Sequence, residues 1–494
     1  MTDDILLAID QGTSSTRAIG FSAAGDIVAV EQQSFEQIYP GPGWVEHDAE
    51  VIWATVMSAG RRLLTRLGEA QRTPAAIGIT NQRETTILWD RRSGAPIYNA
   101  IVWQDRRTAD RCRELARDHG DTEVSRKTGL RLDPYFSATK IAWILDQVSG
   151  ARAAAKAGHI AFGTVDSFLI WRLTGGRLHL TDATNASRTA LYDIGKGRWD
   201  EALCEMFNVP MSVLPEVRDS AGDFGVTDEA VLGRSVPIRG VAGDQQAALV
   251  GQACFAAGDV KSTYGTGAFL VLNTARHLIP SKNRLLSTIA YQLKGVVTYA
   301  LEGSILSAGA AVQWLRDGLG LISQASDIEA LAASAPHSGG VYLVPAFTGL
   351  GAPYWDPDAR AAILGLTRAA TRSEIARATL DSVAYQTYDL LDAMAADGLR
   401  PETLKVDGGM AQNNLLMQRL ADVLGIRIRR PANSESTAFG AACLAGLGCG
   451  VYRSVQDIAA LSRSETCFEP ALAARERESQ IAGWRNALHR VRSA

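Results

Sequence analysis

The stretch Asp10-Gln-Gly-Thr-Ser-Ser-Thr-Arg17 gathers an acid, a glycine, four hydroxyls and a fixed positive charge in eight consecutive residues. Gly12 carries no Cβ, so backbone amides around it can approach an anion closely. Thr13, Ser14 and Ser15 add hydroxyl donors, and Arg17 adds a charge matched to phosphate oxygens. Asp10, at the end of an apolar run, suits a hydrated Mg²⁺. Together these types describe a phosphate cradle with a metal beside it. Read alone, the stretch is also an ordinary Ser/Thr-rich surface turn.

Three further stretches carry possible chemistry. Gly240-Val-Ala-Gly-Asp-Gln-Gln246 places Asp244 where a carboxylate can take a proton from a substrate hydroxyl. It also places Asp244 where it can cap the helix begun by Gln-Gln-Ala-Ala-Leu, and the two roles are compatible. Asn81-Gln-Arg-Glu-Thr-Thr86 sets Arg83 beside Glu84 after a short strand. Neighbours on an extended chain point apart, so each can serve a polar ligand, one as donor and one as acceptor, or both can face solvent. Val406-Asp-Gly-Gly-Met-Ala-Gln-Asn-Asn414 has paired glycines before a helix, a turn that can admit a base or phosphate. The seven histidines show no metal-ligand spacing, and His47, between Glu46 and Asp48, reads as structural. The familiar nucleotide fingerprints are missing: there is no GxxxxGK[ST], no strand followed by GxGxxG, and no HRD or DFG set.

The elements that must position these residues alternate short apolar runs with helical patterns, which predicts an α/β chain. Residues 5–10 read as a buried strand, 18–30 as a hairpin around Ala24-Gly25-Asp26, and 76–80 as another strand. Thr371-Arg-Ser-Glu374 is a capping box that opens a helix running to Gly398. Residues 414–424 form a second helix, stopped by Gly425. Tyr264-Gly-Thr-Gly267 follows a strand-like run, Val260 to Thr263, and precedes another, Phe269 to Leu272, just as Asp10-Gln-Gly-Thr13 stands between two strands about 250 residues earlier. The echo predicts a duplicated fold with a cleft between its halves and a boundary between residues 251 and 252.

Composition excludes several classes. Lys plus Arg is 50 and Asp plus Glu is 53, a formal charge of −3, so no basic excess exists for a polyanionic surface. The start, with two acids and a short apolar run, does not read as a secretory signal. No stretch of about 18 uninterrupted apolar residues reads as a membrane span. The six cysteines form no CxxC pair, which argues against a disulfide framework and structural zinc. The expectation is a cytoplasmic enzyme. The 46 glycines are assigned largely to turns that bring backbone up to phosphate and base.

In combination these motifs resemble the sugar and polyol kinases, a carbohydrate kinase family of the actin-like ATPase superfamily, and most of all its glycerol-phosphorylating members. The match runs nearly continuously from Ile5 to about Tyr452. It includes Gly43-Trp-Val-Glu-His-Asp48, Gly78-Ile-Thr-Asn-Gln-Arg-Glu-Thr-Thr86, Asp133-Pro-Tyr-Phe-Ser137 and Val344-Pro-Ala-Phe-Thr-Gly-Leu-Gly-Ala-Pro-Tyr-Trp-Asp-Pro357. The resemblance implies two ribonuclease-H-like domains, 1–251 and 252–494, related by duplication and facing across a cleft.

By family pattern, Thr13, Ser14, Ser15 and Arg17 contact the phosphates of ATP, and Thr266, Gly309, Gln313, Gly409 and Asn413 complete the nucleotide site. Asp10 matches the acid associated with Mg²⁺. Arg83, Glu84, Tyr135, Asp244 and Gln245 would hold glycerol, with Trp103 and Phe269 walling its carbon face. Asp244 would be the general base in transfer of the γ-phosphoryl group to a terminal hydroxyl, as in glycerol catabolism.

The resemblance further implies a homodimer or homotetramer, with neither nucleic acid nor membrane as partner. Where some members carry a Gly-Gly-Thr-Arg loop for an inhibitory sugar bisphosphate, this chain reads Leu232-Gly-Arg-Ser235, so that control is not expected. The tail after Tyr452 diverges and no partner contact is carried over to it. Two alternatives share parts of the pattern: a kinase for a pentulose or another polyol, and a nucleotide-dependent filament or chaperone module.

Overall fold

The computed structural model describes residues 4–432, 434–461 and 464–493. Two sheets dominate it. The first contains β1 (Ile5–Gln11), β2 (Ser15–Ser22), β3 (Ile27–Ser34), β4 (Pro74–Asn81) and β5 (Ile238–Gly243), in the order β5-β4-β1-β2-β3. The hairpin strands β1, β2 and β3 are antiparallel, whereas β4 runs parallel to β1, and β5 to β4.

The second sheet contains β6 (Val260–Tyr264), β7 (Ala268–Ala275), β8 (Leu286–Leu293), β9 (Val296–Ile305), β10 (Thr403–Asp407), β11 (Arg427–Pro431) and β12 (Glu465–Phe468). Its order is β8-β9-β7-β6-β10-β11-β12. Without the outer strands β8 and β12, the remaining five repeat the order and directions of the first sheet. The duplication expected from two short hairpins is therefore written in the whole topology.

Local sequence explains the elements. β1 lies inside its sheet between a parallel and an antiparallel neighbour, and five of its seven residues, Ile5 to Ile9, are apolar and buried. β3, at the sheet edge, alternates exposed and less exposed positions. The main helices are α1 (Ala49–Glu69), α2 (Ser137–Gln147), α3 (Asp244–Gly251), α4 (Gly309–Asp317), α5 (Arg372–Ala396), α6 (Asn414–Leu424), α7 (Ser436–Cys449) and α8 (Ala474–Val491). The capping box of Thr371 and Glu374 is formed at the start of α5. α6 stops at Gly425, which adopts the left-handed conformation at φ +68°.

α3 and α7 join the two halves. Each follows the last parallel strand of its own repeat, β5 or β11, and the two pack against each other. A methyl group on Gly251 would run into the Ser436 carbonyl, and one on Gly440 into the Ala247 carbonyl. α7 also lies on β4 and β5, where Gly78 and Gly240 give its backbone room. Part of the glycine excess thus serves close packing between helices and sheet. This corrects the assignment of the glycines to ligand turns, since a bare backbone edge suits another backbone as well as a phosphate.

Residues 82–237 are inserted between β4 and β5. They build their own core around Leu88, Ile101, Phe136, Ile144 and Leu203. They also pack on the second sheet, where Ile289 of β8 meets Ala183, Ala186 and Tyr192. The tail after Tyr452 folds back as α8: Trp484 stacks on Tyr385 and donates its indole N–H to Asp389 at 2.8 Å. Among the described residues no helix is long and apolar enough to cross a membrane.

Candidate active site

The carboxyl ends of the parallel strands bring the distant motifs together. In register, Asp10 of β1 lies beside Thr80 of β4, and Thr80 beside Ala242 of β5. The chain leaves these three strands as the Gly12 hairpin, the Arg83-Glu84 segment and α3. Such strand ends are where open α/β sheets bind ligands. Gln82 ties two of the exits together, donating to Gln11 Oε1 at 3.0 Å and to the Gly12 carbonyl at 3.2 Å.

Asp244 is the first residue of α3, and Gly243 occupies the capping position. The expected cap therefore moves back by one residue. The Asp244 carboxylate, 31% exposed, instead receives Arg83 Nε at 3.1 Å and the Gln245 N–H at 2.7 Å. Both contacts fall on Oδ1, and no hydrogen bond reaches Oδ2 among the described residues.

Gln245 is buried, and its Oε1 accepts from the ammonium of Lys261, which also donates to Thr263 Oγ1 at 2.9 Å. The carbonyl end of the Gln245 amide is thus occupied and its NH₂ end is left for a ligand. Burial pushes the Lys261 pKa down to about 8, against the pull of Asp407 and Asp244.

Glu84 has a left-handed backbone, φ 58°, uncommon for a residue other than glycine and a form of strain that clusters at functional sites. Its Oε1 accepts from Arg188 Nε at 2.6 Å, while Oε2 accepts nothing among the described residues. Burial raises its pKa, with Arg188 and Arg83 pulling the other way.

Trp103, Tyr135 and Phe269 form an aromatic group. The Trp103 ring centroid is 5.7 Å from that of Tyr135 and 5.9 Å from that of Phe269, both edge to face. The Arg83 guanidinium lies 5.9 Å from the Phe269 centroid. Arg83, Glu84, Trp103, Tyr135, Asp244, Gln245 and Phe269 thus cluster, drawn from both halves of the chain.

Beside this cluster lie the two hairpins. Thr13 accepts from Trp103 Nε1 at 3.0 Å, and exposed Ser14 and half-buried Ser15 continue its turn. Arg17 pairs with Glu435 at 2.9 Å, so its charge is already engaged. Asp10 is half-buried, and burial raises its pKa to about 7; Arg17 opposes this, while Glu435 and Asp244 add to it. No protein group among the described residues donates a hydrogen bond to its carboxylate.

In the second hairpin, exposed Thr266 accepts through its carbonyl from the N–H groups of Ala308 and Ala310 at 2.9 and 3.0 Å, which fixes it to the start of α4. Gly309 is buried there, and a methyl group on it would lie 2.6 Å from the Gly265 carbonyl. Gln313 is exposed on α4. Gly409 is exposed, and Asn413 caps α6, accepting from the Leu416 N–H at 2.8 Å.

Four neighbours escaped the reading of the sequence: Arg188, Gln246, Lys261 and Glu302. Arg83 donates to both oxygens of Glu302, at 2.6 and 3.1 Å, and to Gln246 Oε1 at 3.4 Å. Arg188 Nη2 reaches Glu302 Oε1 at 3.0 Å. A signal existed: Glu302 and Lys261 are lone charges in strand patterns that are otherwise apolar or hydroxylic, and a buried charge requires partners.

Comparison with known proteins shows the family. The N-terminal domain model of the FGGY family of carbohydrate kinases matches residues 5–251, and the C-terminal domain model matches 260–449. A glycerol kinase of Alteromonas mediterranea is 59% identical over 99% of both chains. Glycerol kinase 1 of Pseudomonas aeruginosa is 58% identical over 99% of both. The crystal structure of Plasmodium falciparum glycerol kinase with ADP superposes with a TM-score of 0.92 at 37% identity, covering 99% of this chain and 98% of that one. The two sheets of repeated topology are those of this kinase fold, and the chain belongs to the FGGY family of carbohydrate kinases, alongside the glycerol kinases it matches over its whole length.

Proposed function

We propose that the protein phosphorylates glycerol with ATP, giving sn-glycerol 3-phosphate. One observation carries the reading beyond the family. Asp244 offers an unengaged Oδ2 beside Arg83, Glu84, Gln245 and an aromatic group, at the end of the strands that also lead to the Gly12 hairpin. Glycerol has three hydroxyls and little apolar area, so it must be held by directed hydrogen bonds. Such a site rejects analogues that leave its buried polar groups unpaired.

In this mechanism Asp244 Oδ2 accepts the proton of a terminal glycerol hydroxyl. The hydroxyl oxygen forms a bond to the γ-phosphorus in line, the bond from that phosphorus to the β–γ bridging oxygen breaks, and ADP leaves. Arg83 fixes the Asp244 carboxylate through Oδ1. Glu84 Oε2, the Gln245 NH₂ group and Tyr135 hold the remaining hydroxyls, and Trp103 and Phe269 cover the carbon chain. Thr13, Ser14 and Ser15 donate to phosphate, and Arg17 joins them by turning from Glu435. Thr266, Gly309, Gln313, Gly409 and Asn413 form the rest of the nucleotide site. Residues 1–251 and 252–494 are its two halves.

Asp10 suits a Mg²⁺ ion. Its carboxylate has no hydrogen-bond donor among the described residues, and a nearby cation would offset the burial that raises its pKa. The described residues contain no group of three or more His, Cys, Asp or Glu that could hold a metal ion. Mg²⁺ held by one or two carboxylates, waters and substrate phosphates needs no such group. With Asp10 as its protein ligand, the ion would offset negative charge on the phosphates.

A coupled ADP-release assay with glycerol, dihydroxyacetone, xylulose and erythritol tests the substrate. Glycerol is expected to give the highest kcat/KM. Turnover with xylulose and not glycerol would overturn the reading, and no polyol-dependent turnover would point to a binding module.

A further inference from the structure

Glu302 stands where no ligand contact is proposed, yet two guanidiniums converge on it. It lies on β9, an interior strand of the second sheet, opposite Val271 of β7 and Leu286 of β8. Phe269 is two residues from Val271, so Phe269 and Glu302 project from the same face of the sheet. Arg83 and Arg188 reach that face from the other half of the chain. Arg83 spends both terminal nitrogens on Glu302, which leaves Nε as the nitrogen that meets Asp244.

Arg188 places Nη2 on the same Glu302 Oε1 and Nε on Glu84. Its Nη1 is buried without a partner among the described residues, so the two carboxylates hold its charge. All three side chains of the clamp are at most 2% exposed, where a misplaced charge cannot be screened by water. Burial would raise the Glu302 pKa, but Arg188 and Arg83 more than offset this and hold it at about 2, so Glu302 is an anion throughout the physiological range.

We infer that Glu302 is a positioning residue of the polyol pocket: from the second sheet it orients Arg83 toward Asp244 and Arg188 toward Glu84, so the pocket is built by both halves together. The inference rests on the glycerol reading given above. It differs from a general stabilising role in what it predicts. Arg83 and Glu84 serve the polyol, so disordering them should weaken glycerol use and leave the ATP site alone.

The test compares the parent with Glu302→Gln, which keeps shape and loses charge, and Glu302→Asp, which keeps charge and shortens reach. For Glu302→Gln the glycerol KM should rise on the order of 10- to 100-fold, the scale of a misplacement of about 1 Å in a binding group. The ATP KM should stay within about twofold, and Glu302→Asp should recover part of the loss. A glycerol KM within about twofold of the parent, or parallel rises for both substrates, would overturn the role. If Glu302→Gln does not fold, Glu302→Asp is judged by the same two criteria. A parent with no glycerol-dependent turnover would condemn the substrate assignment, whereas an active parent with indifferent variants would condemn only the role of Glu302.

Discussion

Trp103 donates its indole N–H to the hydroxyl of Thr13 at 3.0 Å, so the aromatic group and the Gly12 hairpin, the proposed polyol wall and phosphate cradle, are one hydrogen-bonded unit. Phe269, edge to face with Trp103 at 5.9 Å between centroids, belongs to the proposed wall alone. Replacing Trp103 by Phe keeps an aromatic surface and deletes the donor. One such bond contributes about 0.5–1.5 kcal/mol net, or roughly a 2- to 10-fold change in a constant. Trp103→Phe is therefore expected to raise the KM for ATP and glycerol together, and Phe269→Leu that for glycerol alone. Steady-state kinetics with each substrate varied in turn would show it. Trp103→Phe with an unchanged ATP KM would refute the coupling.

Asp244→Asn tests the proposed base. The amide can still accept at Oδ1 from the Gln245 N–H and lie against Arg83 Nε, so the start of α3 should keep its geometry. It cannot take a proton from a hydroxyl. Turnover is expected to fall roughly 10²- to 10⁴-fold, the usual contribution of a general base. Calorimetry should find ATP affinity close to the parent value. Near-normal turnover would remove Asp244 from the mechanism.

The reach of the sequence has a physical boundary here. β1, the hairpin that follows it, the Thr371 capping box and the stop at Gly425 were legible, because each is set by residues within a few positions of one another. The residues of the proposed pocket were singled out as local motifs for the same reason. The clamp was not: Glu302 lies 219 residues from Arg83 and 114 from Arg188. Only the docking of the second sheet on the inserted segment joins them. The Asp244 cap was misplaced because local pattern could not register that Arg83 claims the same carboxylate oxygen. The packing role of Gly251 and Gly440 was not legible, because their need for a bare backbone comes from a helix of the other half.

Asp389 makes folding stability depend on pH near neutrality. It is buried beneath α8, accepts the Trp484 N–H, and has its pKa raised from 3.8 to about 7 mainly by burial; hydrogen bonds from Trp484 and Tyr354 oppose the rise. The folded state therefore holds a proton that the unfolded state has lost between about pH 4 and 7. Stability falls as pH rises through that window, and the full cost is present above pH 7. A shift of this size corresponds to a cost on the order of 4 kcal/mol.

Asp389→Asn removes the titration and keeps an acceptor for Trp484. The drop in melting temperature between pH 5.5 and 8.5 should be smaller in the variant. His47 and His179, kept neutral down to about pH 4 chiefly by burial, act in the opposite sense below about 6.5. For that reason the difference between variant and parent is the quantity to read. Equal drops in the two proteins would show that Asp389 is already ionised at neutral pH.

Adjacent glycines at the proposed nucleotide site should respond in opposite ways. Gly408 has φ +89°, and a methyl group on it would lie 2.5 Å from the Tyr264 carbonyl. Neither the conformation nor the space admits a side chain. Gly409 is exposed, and nothing among the described residues lies within 4 Å of the methyl group it lacks. Its bare edge serves the fold no purpose, whereas a base lying over it needs that edge open. Gly408→Ala is expected to cost on the order of 1–3 kcal/mol of stability. Gly409→Ala should melt within a few degrees of the parent, as surface substitutions usually do. Only its ATP KM should rise, with the glycerol KM unchanged. Thermal melts and paired KM measurements separate the two cases, and a Gly409→Ala enzyme with normal ATP kinetics would place the nucleotide away from this turn.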